Sequence, residues 1–292
     1  MNKIAETAYL VAMYRALESE RPDALFKDSW ARLLAGSKGL ILAEMLGAKE
    51  QAANVIAVRT HVMDQTIEKL IKEQQIDTVI NLGAGLDTRP YRLSLPSSLQ
   101  WIEVDFAEIL AEKETHLKEQ KPRCQLKRIK LDLADIELRR SLFAEISAEA
   151  KEVLVVSEGL LSYLPEEQVS LLSEDLRRQT NFRWWLFELI SASGMENVPL
   201  QSREKLFHQY FSNSNNTSVF LFNPEQGLDF FKQRSWNIVE FYSVWKESRR
   251  LKRGIKFAAL WAFFLPLFAK QYWQALTRQL GVTLLEQGLN PK

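Results

Sequence analysis

Apolar positions do not keep one period along this chain. Up to about residue 75 they recur at helical spacing, in stretches rich in Ala, Leu, Glu and Lys, with one interruption between Pro22 and Asp28. From 76 to about 190 short apolar runs take over, at Asp77–Leu82, Leu99–Val104, Leu126–Leu131, Val153–Ser157 and Trp184–Ile190. Amphipathic stretches at Phe106–Gln120, Leu138–Ala150 and Pro165–Gln179 separate them. Strands alternating with helices predict a mostly parallel, doubly wound sheet with helices on both faces. Residues 191–235 lose the pattern and contain the loop signal Ser212–Ser218, as expected of an insertion over the sheet edge. Trp236–Tyr242 returns to a strand pattern, and an apolar helical tail is expected to follow it to residue 292. The expected organisation is one domain: a helical cap over 1–75, a core over 76–190, a lid over 191–235 and the tail over 236–292. No fixed-period repeat is present, which excludes solenoids and propellers.

Composition narrows this picture. At 292 residues and 46% hydrophobic content the chain can bury a large core, and a net charge of +1 excludes wholesale disorder. The same balance argues against duplex nucleic acid as the partner, which calls for a basic excess. Cys124 is the single cysteine, so no intrachain disulfide forms. His61, His116 and His208 are scattered, and no metal site is expected. Met1–Leu17 carries Glu6 and Arg15 and lacks the apolar run of a signal peptide, so it is expected to belong to the fold of a cytoplasmic protein.

In sheets of this class the ligand lies beyond the carboxyl ends of the strands. The first strand runs into Asn81-Leu-Gly-Ala-Gly-Leu-Asp-Thr-Arg89, where Gly83 and Gly85 allow a tight turn and close approach of a ligand. A plain βα turn would look the same. The dinucleotide fingerprint has a third glycine where this chain has Thr88, which weighs against a pyrophosphate. Asp105 ends the second strand about 20 residues further on, where an acid can accept from both ribose hydroxyls; it could equally cap the next helix. Glu103 shares its face and is the weaker rival. Asp132 with Leu133 ends the third strand, placed to take an exocyclic amine and a ring nitrogen of adenine, although Asp-Leu also opens many helices. Glu158 follows four apolar strand residues, so it needs a cation, either a ligand ammonium or a side chain of the fold. A nucleoside with a positive charge fits these ends, and S-adenosylmethionine is one. Its carboxylate needs a donor, for which Arg59 is a candidate unless it is a solvated helix arginine.

The chain resembles the leucine carboxyl methyltransferase-like family, in particular its bacterial branch of S-adenosylmethionine-dependent O-methyltransferases. The resemblance lies in blocks that keep one order: Thr7-Ala8 with Arg15-Ala16, Arg21–Asp28, Arg59-Thr60 with Asp64, Asn81–Arg89, Glu103–Phe106, Leu131–Leu133 and Ser157–Leu161. It covers roughly residues 5–190. It implies a Rossmann-like class I methyltransferase fold and S-adenosylmethionine as cofactor, with no metal. It also implies that Arg59 binds the methionine carboxylate, Gly83 packs under the methionine part, Asp105 holds the ribose, Asp132 and Leu133 hold the adenine, and Glu158 lies near the amino end. The C-terminal third falls outside the resemblance, so no acceptor is implied.

Methyl transfer is an in-line displacement, in which alignment and exclusion of water are the main tasks. A carboxylate acceptor needs no base, whereas a hydroxyl does, and Tyr163 and Glu188 are the candidates near strand ends. The tail pairs a basic run, Lys246–Lys256, with the apolar run Phe257–Ala269, too short for a membrane span and broken by Pro266. It is expected to wall an apolar acceptor pocket, or else to touch a membrane surface through 246–269. The expected function is O-methylation of a small, hydrophobic acceptor. The rivals are an NAD-type oxidoreductase and a non-catalytic, membrane-associated nucleoside-binding protein.

Overall fold

The computed structural model describes residues 3–45, 50–190, 221–222, 224, 226–254 and 280–288. The five apolar runs between 77 and 190 become β1 (Thr78–Leu82), β2 (Gln100–Asp105), β3 (Gln125–Lys130), β4 (Val153–Ser157) and β5 (Trp184–Ile190). All five are parallel, and β1 pairs with β2 on one side and β4 on the other. With β6 (Trp236–Ser243) and β7 (Leu280–Gln287), the described residues form one seven-stranded sheet in the order β3-β2-β1-β4-β5-β7-β6. The chain winds outward from β1 in one direction and from β4 in the other, so the topological switch lies between them.

Side chains alternate between the two faces. Ile80, Leu82, Val153, Val155, Trp185 and Phe187 face one cluster, while Val79, Trp101, Leu154, Val156, Trp184 and Leu186 face the other. The first face is covered by α6 (Ile136–Glu149) through Leu142, Phe143 and Ile146, and by α7 (Glu166–Arg177) through Val169, Leu172 and Leu176. The second is covered by α3 (Glu50–Glu73) through Val58, Val62, Ile67 and Leu70. A third cluster joins α1 (Lys3–Ser19), α2 (Ala31–Met45) and α5 (Ala107–Leu117). Between β1 and β2 the chain makes only α4, a single turn over Arg89–Arg92. The sheet is therefore doubly wound, as its period predicts.

The tail departs from expectation. Residues 280–287 form strand β7, antiparallel to both β5 and β6 and lying between them, not a helix. Val282 and Leu284 pack on one face and Leu285 on the other. A strand buried on both faces reads as a plain apolar run, which hides its period. Gly281 is required here, because a Cβ would lie 2.1 Å from the ring of Phe241. The expected lid over 191–235 and the apolar run 257–269 lie largely or wholly outside the described residues. Of the basic run, Lys246, Arg249, Arg250 and Lys252 are exposed, but Arg253 is buried. It pairs with Glu18 at 2.7 Å and Asp23 at 3.0 Å, pinning the chain after β6 to the end of α1. No described helix is long and apolar enough to cross a membrane.

Gly281→Ala forces a methyl group into the Phe241 ring. It should lower the urea midpoint by an amount equivalent to about 1–3 kcal/mol, whereas Val239→Ala, at an exposed site on β6, should stay within about 0.5 kcal/mol of wild type.

Candidate functional site

The site begins with the turn that leaves β1. Gly83 has a φ of +68° and Gly85 one of +46°, both in the left-handed region that side chains avoid. The Gly83 N–H donates to Val104 O at 2.9 Å, which folds the turn back against the end of β2. There Asp105 closes it: one carboxylate oxygen accepts from Gly85 N–H at 2.6 Å and the other from Phe106 N–H at 2.7 Å. Burial pushes the Asp105 carboxyl up, against these two donors. Asp105 therefore does not cap the next helix, whose N-cap is Phe106 with no side-chain cap; it binds the backbone of the glycine turn and of Phe106. A Cβ on Gly83 would lie 3.2 Å from Leu160, in the loop after β4. The glycine turn is therefore in contact with the segment that carries Glu158.

Glu158 lies between two buried arginines. Its Oε1 is 2.8 Å from Arg59 Nη2 and its Oε2 is 2.6 Å from Arg89 Nη1. Arg59 comes from α3 and its Nη1 donates to Glu188 at 2.5 Å, at the end of β5. Arg89, on α4, also donates to Asp64 at 2.7 Å and to Asp87 at 2.9 Å. Arg92 reaches Asp64 at 2.5 Å. Asp28 accepts from Arg15 at 2.9 Å and from the Thr88 hydroxyl at 2.7 Å. Four arginines (Arg15, Arg59, Arg89, Arg92) thus face five carboxylates (Asp28, Asp64, Asp87, Glu158, Glu188). All are nearly closed to solvent, and with every group ionised the network carries a net charge of −1.

The electrostatics follow from that packing. Burial raises the Glu158 carboxyl, but Arg89 and Arg59 outweigh it and hold the group at about 2. Asp87 is held below the usual carboxylate range in the same way, chiefly by Arg89 against burial. Glu188 goes the other way, because burial raises it and Arg59 only partly compensates. Burial also raises Tyr163, whose hydroxyl is hydrogen-bonded to Thr7 of α1. Tyr163 lies in the short turn Leu161–Tyr163 and interacts electrostatically with both Glu188 and Arg59.

Arg59, Glu158, Glu188 and Tyr163 therefore meet in one place, and Gly83, Gly85 and Asp105 adjoin it. Asp132 and Leu133 lie after β3, next to the end of β2, with Leu131 N–H donating to Asp105 O at 3.0 Å. Asp132 is exposed and accepts from Ala134 N–H, while Leu133 is buried and its carbonyl accepts from Arg139. Glu103 is excluded as a ribose acceptor. It is fully buried and paired with Lys113 at 2.7 Å and Arg128 at 2.8 Å. Arg59 is 6% exposed and so is no solvated helix arginine. Sequence reasoning assigned no role to Arg89, Asp87 or Asp64. The signal for Asp87 and Arg89 was their place in the block that follows β1, whereas nothing local marked Asp64 on α3.

Several buried polar atoms here lack a hydrogen-bond partner: Arg59 Nε, Arg89 Nη2, Thr60 Oγ1 and Glu158 Oε1. Three are donors or hydroxyls able to meet an anionic or polar ligand, while the fourth, Glu158 Oε1, already lies 2.8 Å from Arg59 Nη2. A zwitterionic amino acid bearing an extra positive charge matches both the donor set and the −1 of the network. Among the described residues no cluster of His, Cys, Asp and Glu could hold a metal ion.

Known proteins resemble this chain in sequence and in fold. The family profile described as leucine carboxyl methyltransferase matches residues 8–176. A provisionally named S-adenosyl-L-methionine-dependent methyltransferase of Streptomyces coelicolor is 32% identical over 186 residues, covering 60% of this chain and 64% of that protein. A similarly named Parafrankia protein is 34% identical over 185 residues, covering 60% of this chain and 59% of its own. The chain thus spans less than two thirds of the length of these relatives. A crystal structure of a DUF574 family protein from Streptomyces avermitilis superposes with a TM-score of 0.61 at 12% identity, over 96% of this chain and 97% of that one. At that identity the likeness is one of fold.

The Glu158 carboxyl ionises at about 2 in the fold against an ordinary 4.5. Its stabilisation is complete above the ordinary value and is lost as pH falls toward 2, on the order of 3 kcal/mol in all. Glu158→Gln should therefore lower the urea unfolding free energy at pH 7, and the gap to wild type should narrow between pH 5 and pH 3.

Proposed function

The chain belongs to the leucine carboxyl methyltransferase family, whose profile spans residues 8–176, and from that premise we propose that it is an S-adenosylmethionine-dependent O-methyltransferase. The observation that carries the proposal is the continuous contact from Asp105 through the glycine turn and Leu160 to Glu158 and Arg59. It offers a ribose acceptor at one end and a carboxylate donor at the other. Asp132 and Leu133 adjoin the Asp105 end, where the adenine would lie. When bound, the cofactor supplies an electrophilic methyl on sulfur.

The protein's own part is to bind, align and exclude water. Arg59 is fixed by two carboxylates before any ligand arrives, so its remaining donor is preorganised. The choice of a carboxylate over a hydroxyl acceptor rests on Tyr163 and Glu188, the two candidate bases among the described residues, neither of which is free to act. Tyr163 keeps its proton, since burial raises it, and Glu188 is tied to Arg59. An acceptor oxygen that is already anionic, a carboxylate, suits such a site better than a hydroxyl does. The acceptor's hydrophobic character rests on the run 257–269 alone, which lies outside the described residues. A dinucleotide is disfavoured by two features. Thr88 is fully buried and bound to Asp28, and α4 is a four-residue turn, too short to set a pyrophosphate on a helix N-terminus.

Two measurements test the reading. Calorimetric titration with S-adenosylhomocysteine should show binding by wild type that Asp105→Ala weakens roughly 10- to 100-fold, the loss of charge-assisted hydrogen bonds. Absence of binding by folded wild type would overturn it, and binding of a reduced nicotinamide cofactor instead would favour an oxidoreductase. With cofactor labelled at the methyl group and a panel of acids and alcohols, the label should enter an alkali-labile ester. Alkali-stable label would move the acceptor from carboxylate to hydroxyl.

A further inference from the structure

Arg59 already holds two glutamates. Its Nη1 is given to Glu188 and its Nη2 to Glu158, and only Nε lacks a partner. The cofactor carboxylate, on the reading above, must join the same buried guanidinium. Three carboxylates around one cation in a water-poor site is an unfavourable count, so one of the glutamates gives way.

The two are held unequally. Glu158 is gripped by Arg59 and by Arg89, so losing Arg59 still leaves it a cation. Glu188 has Arg59 alone, together with a hydrogen bond from Gly159 N–H. The groups that face Glu188 come from every neighbouring element: Arg59 on α3, Glu158 in the loop after β4 and Tyr163 in the turn that follows. On β7 the residue paired with it is the apolar Val282. Among the described residues no second cation faces it. Glu188 is 5% exposed, so water does not replace a lost partner.

We propose that Glu188 is a place-holding carboxylate, which occupies Arg59 in the free protein, yields it to the cofactor carboxylate, and takes up one proton from solvent as it does so. The exchange keeps two carboxylates on Arg59 and leaves no unpaired buried charge. The proton goes onto a Glu188 oxygen, giving a neutral acid beside Glu158 and Tyr163. Burial already favours that form of Glu188, while its neighbour Glu158 is held ionised, so the two glutamates are poised for different parts. Glu188 is then a positioning residue: it keeps Arg59 extended toward the strand ends while the site is empty. As a neutral acid it cannot serve as the base, in keeping with a carboxylate acceptor.

The inference rests on S-adenosylmethionine being the cofactor, and its test separates the two. S-adenosylhomocysteine is titrated into the full chain between pH 6 and 7.5 in buffers of different ionisation enthalpy, so that the observed heat counts protons. Wild type should take up a proton fraction approaching about one per ligand, with affinity falling by up to roughly tenfold per pH unit. The nucleoside 5′-methylthioadenosine, which has no carboxylate, should bind without proton uptake. Glu188→Gln should bind S-adenosylhomocysteine at least as tightly as wild type at pH 7.5, with no proton uptake and a flat pH profile. A merely structural role for Glu188 would weaken binding instead. Uptake of no proton by wild type, equal uptake with 5′-methylthioadenosine, or uptake retained in Glu188→Gln would each overturn the proposal while leaving the cofactor site intact. Failure of S-adenosylhomocysteine to bind at all would remove the cofactor reading and this one with it. The comparison of the two ligands on wild type needs no variant, so it stands even if Glu188→Gln fails to fold.

Discussion

Arg89 is the group on which the site's architecture turns. Its guanidinium is buried and shared by Asp64 of α3, Asp87 of the glycine-turn segment and Glu158 of the loop after β4. Burying a guanidinium is expensive unless each of its faces finds an anion, and burying each of those anions is expensive unless the arginine is there. Neither can be placed without the other, so helix, turn and loop are located together. Arg59, Arg92 and Arg15 extend the same logic outward to Glu188, Asp64 and Asp28. Such a network is weak evidence for overall stability, since apolar residues of the same volume could do as well. What it does is orient donors in advance at one edge of the sheet.

This explains why the N-terminal helices belong to the site and do not merely decorate it. Arg15 of α1 donates to Leu86 O in the glycine turn at 2.5 Å and to Asp28 in the following loop. Thr88 returns a hydrogen bond to Asp28 from the turn itself. The position that a dinucleotide fold reserves for a glycine is thus spent on holding the cap to the core. Three residues beyond Arg15 along α1, Glu18 is reached by Arg253, so the chain beyond β6 is tied to the same helix.

Much of the fold was legible in the sequence. Five parallel strands and the helices between them announce themselves because a strand covered on both faces is a short apolar run and a covering helix is amphipathic. β7 escaped because a strand buried on both faces shows no alternation, and its partners β5 and β6 are remote along the chain. At the site, Gly83, Gly85 and Asp105 could be found from spacing, since backbone geometry ties a turn to the end of the adjacent strand. Arg59 could not be found that way, because nothing local distinguishes a buried helix arginine from a solvated one. The resemblance singled it out, and its two glutamates show why it can be buried. The ion pairs of Glu103 and Arg253 were hidden for the same reason: their partners, Lys113 with Arg128 and Glu18 with Asp23, come from other elements.

The sequence by itself determined the class of the fold, the edge of the sheet where chemistry gathers, and the acidic strand end beside the glycine turn. These follow from periodicity and from covalent spacing, both of which act over a few residues. Only the tertiary structure decided which charges pair. Ion pairing in a buried network is a choice among many candidates separated by tens of residues, and it is settled by which elements pack side by side. That choice gave Glu158 two arginines and Glu188 one, a difference no linear pattern encodes.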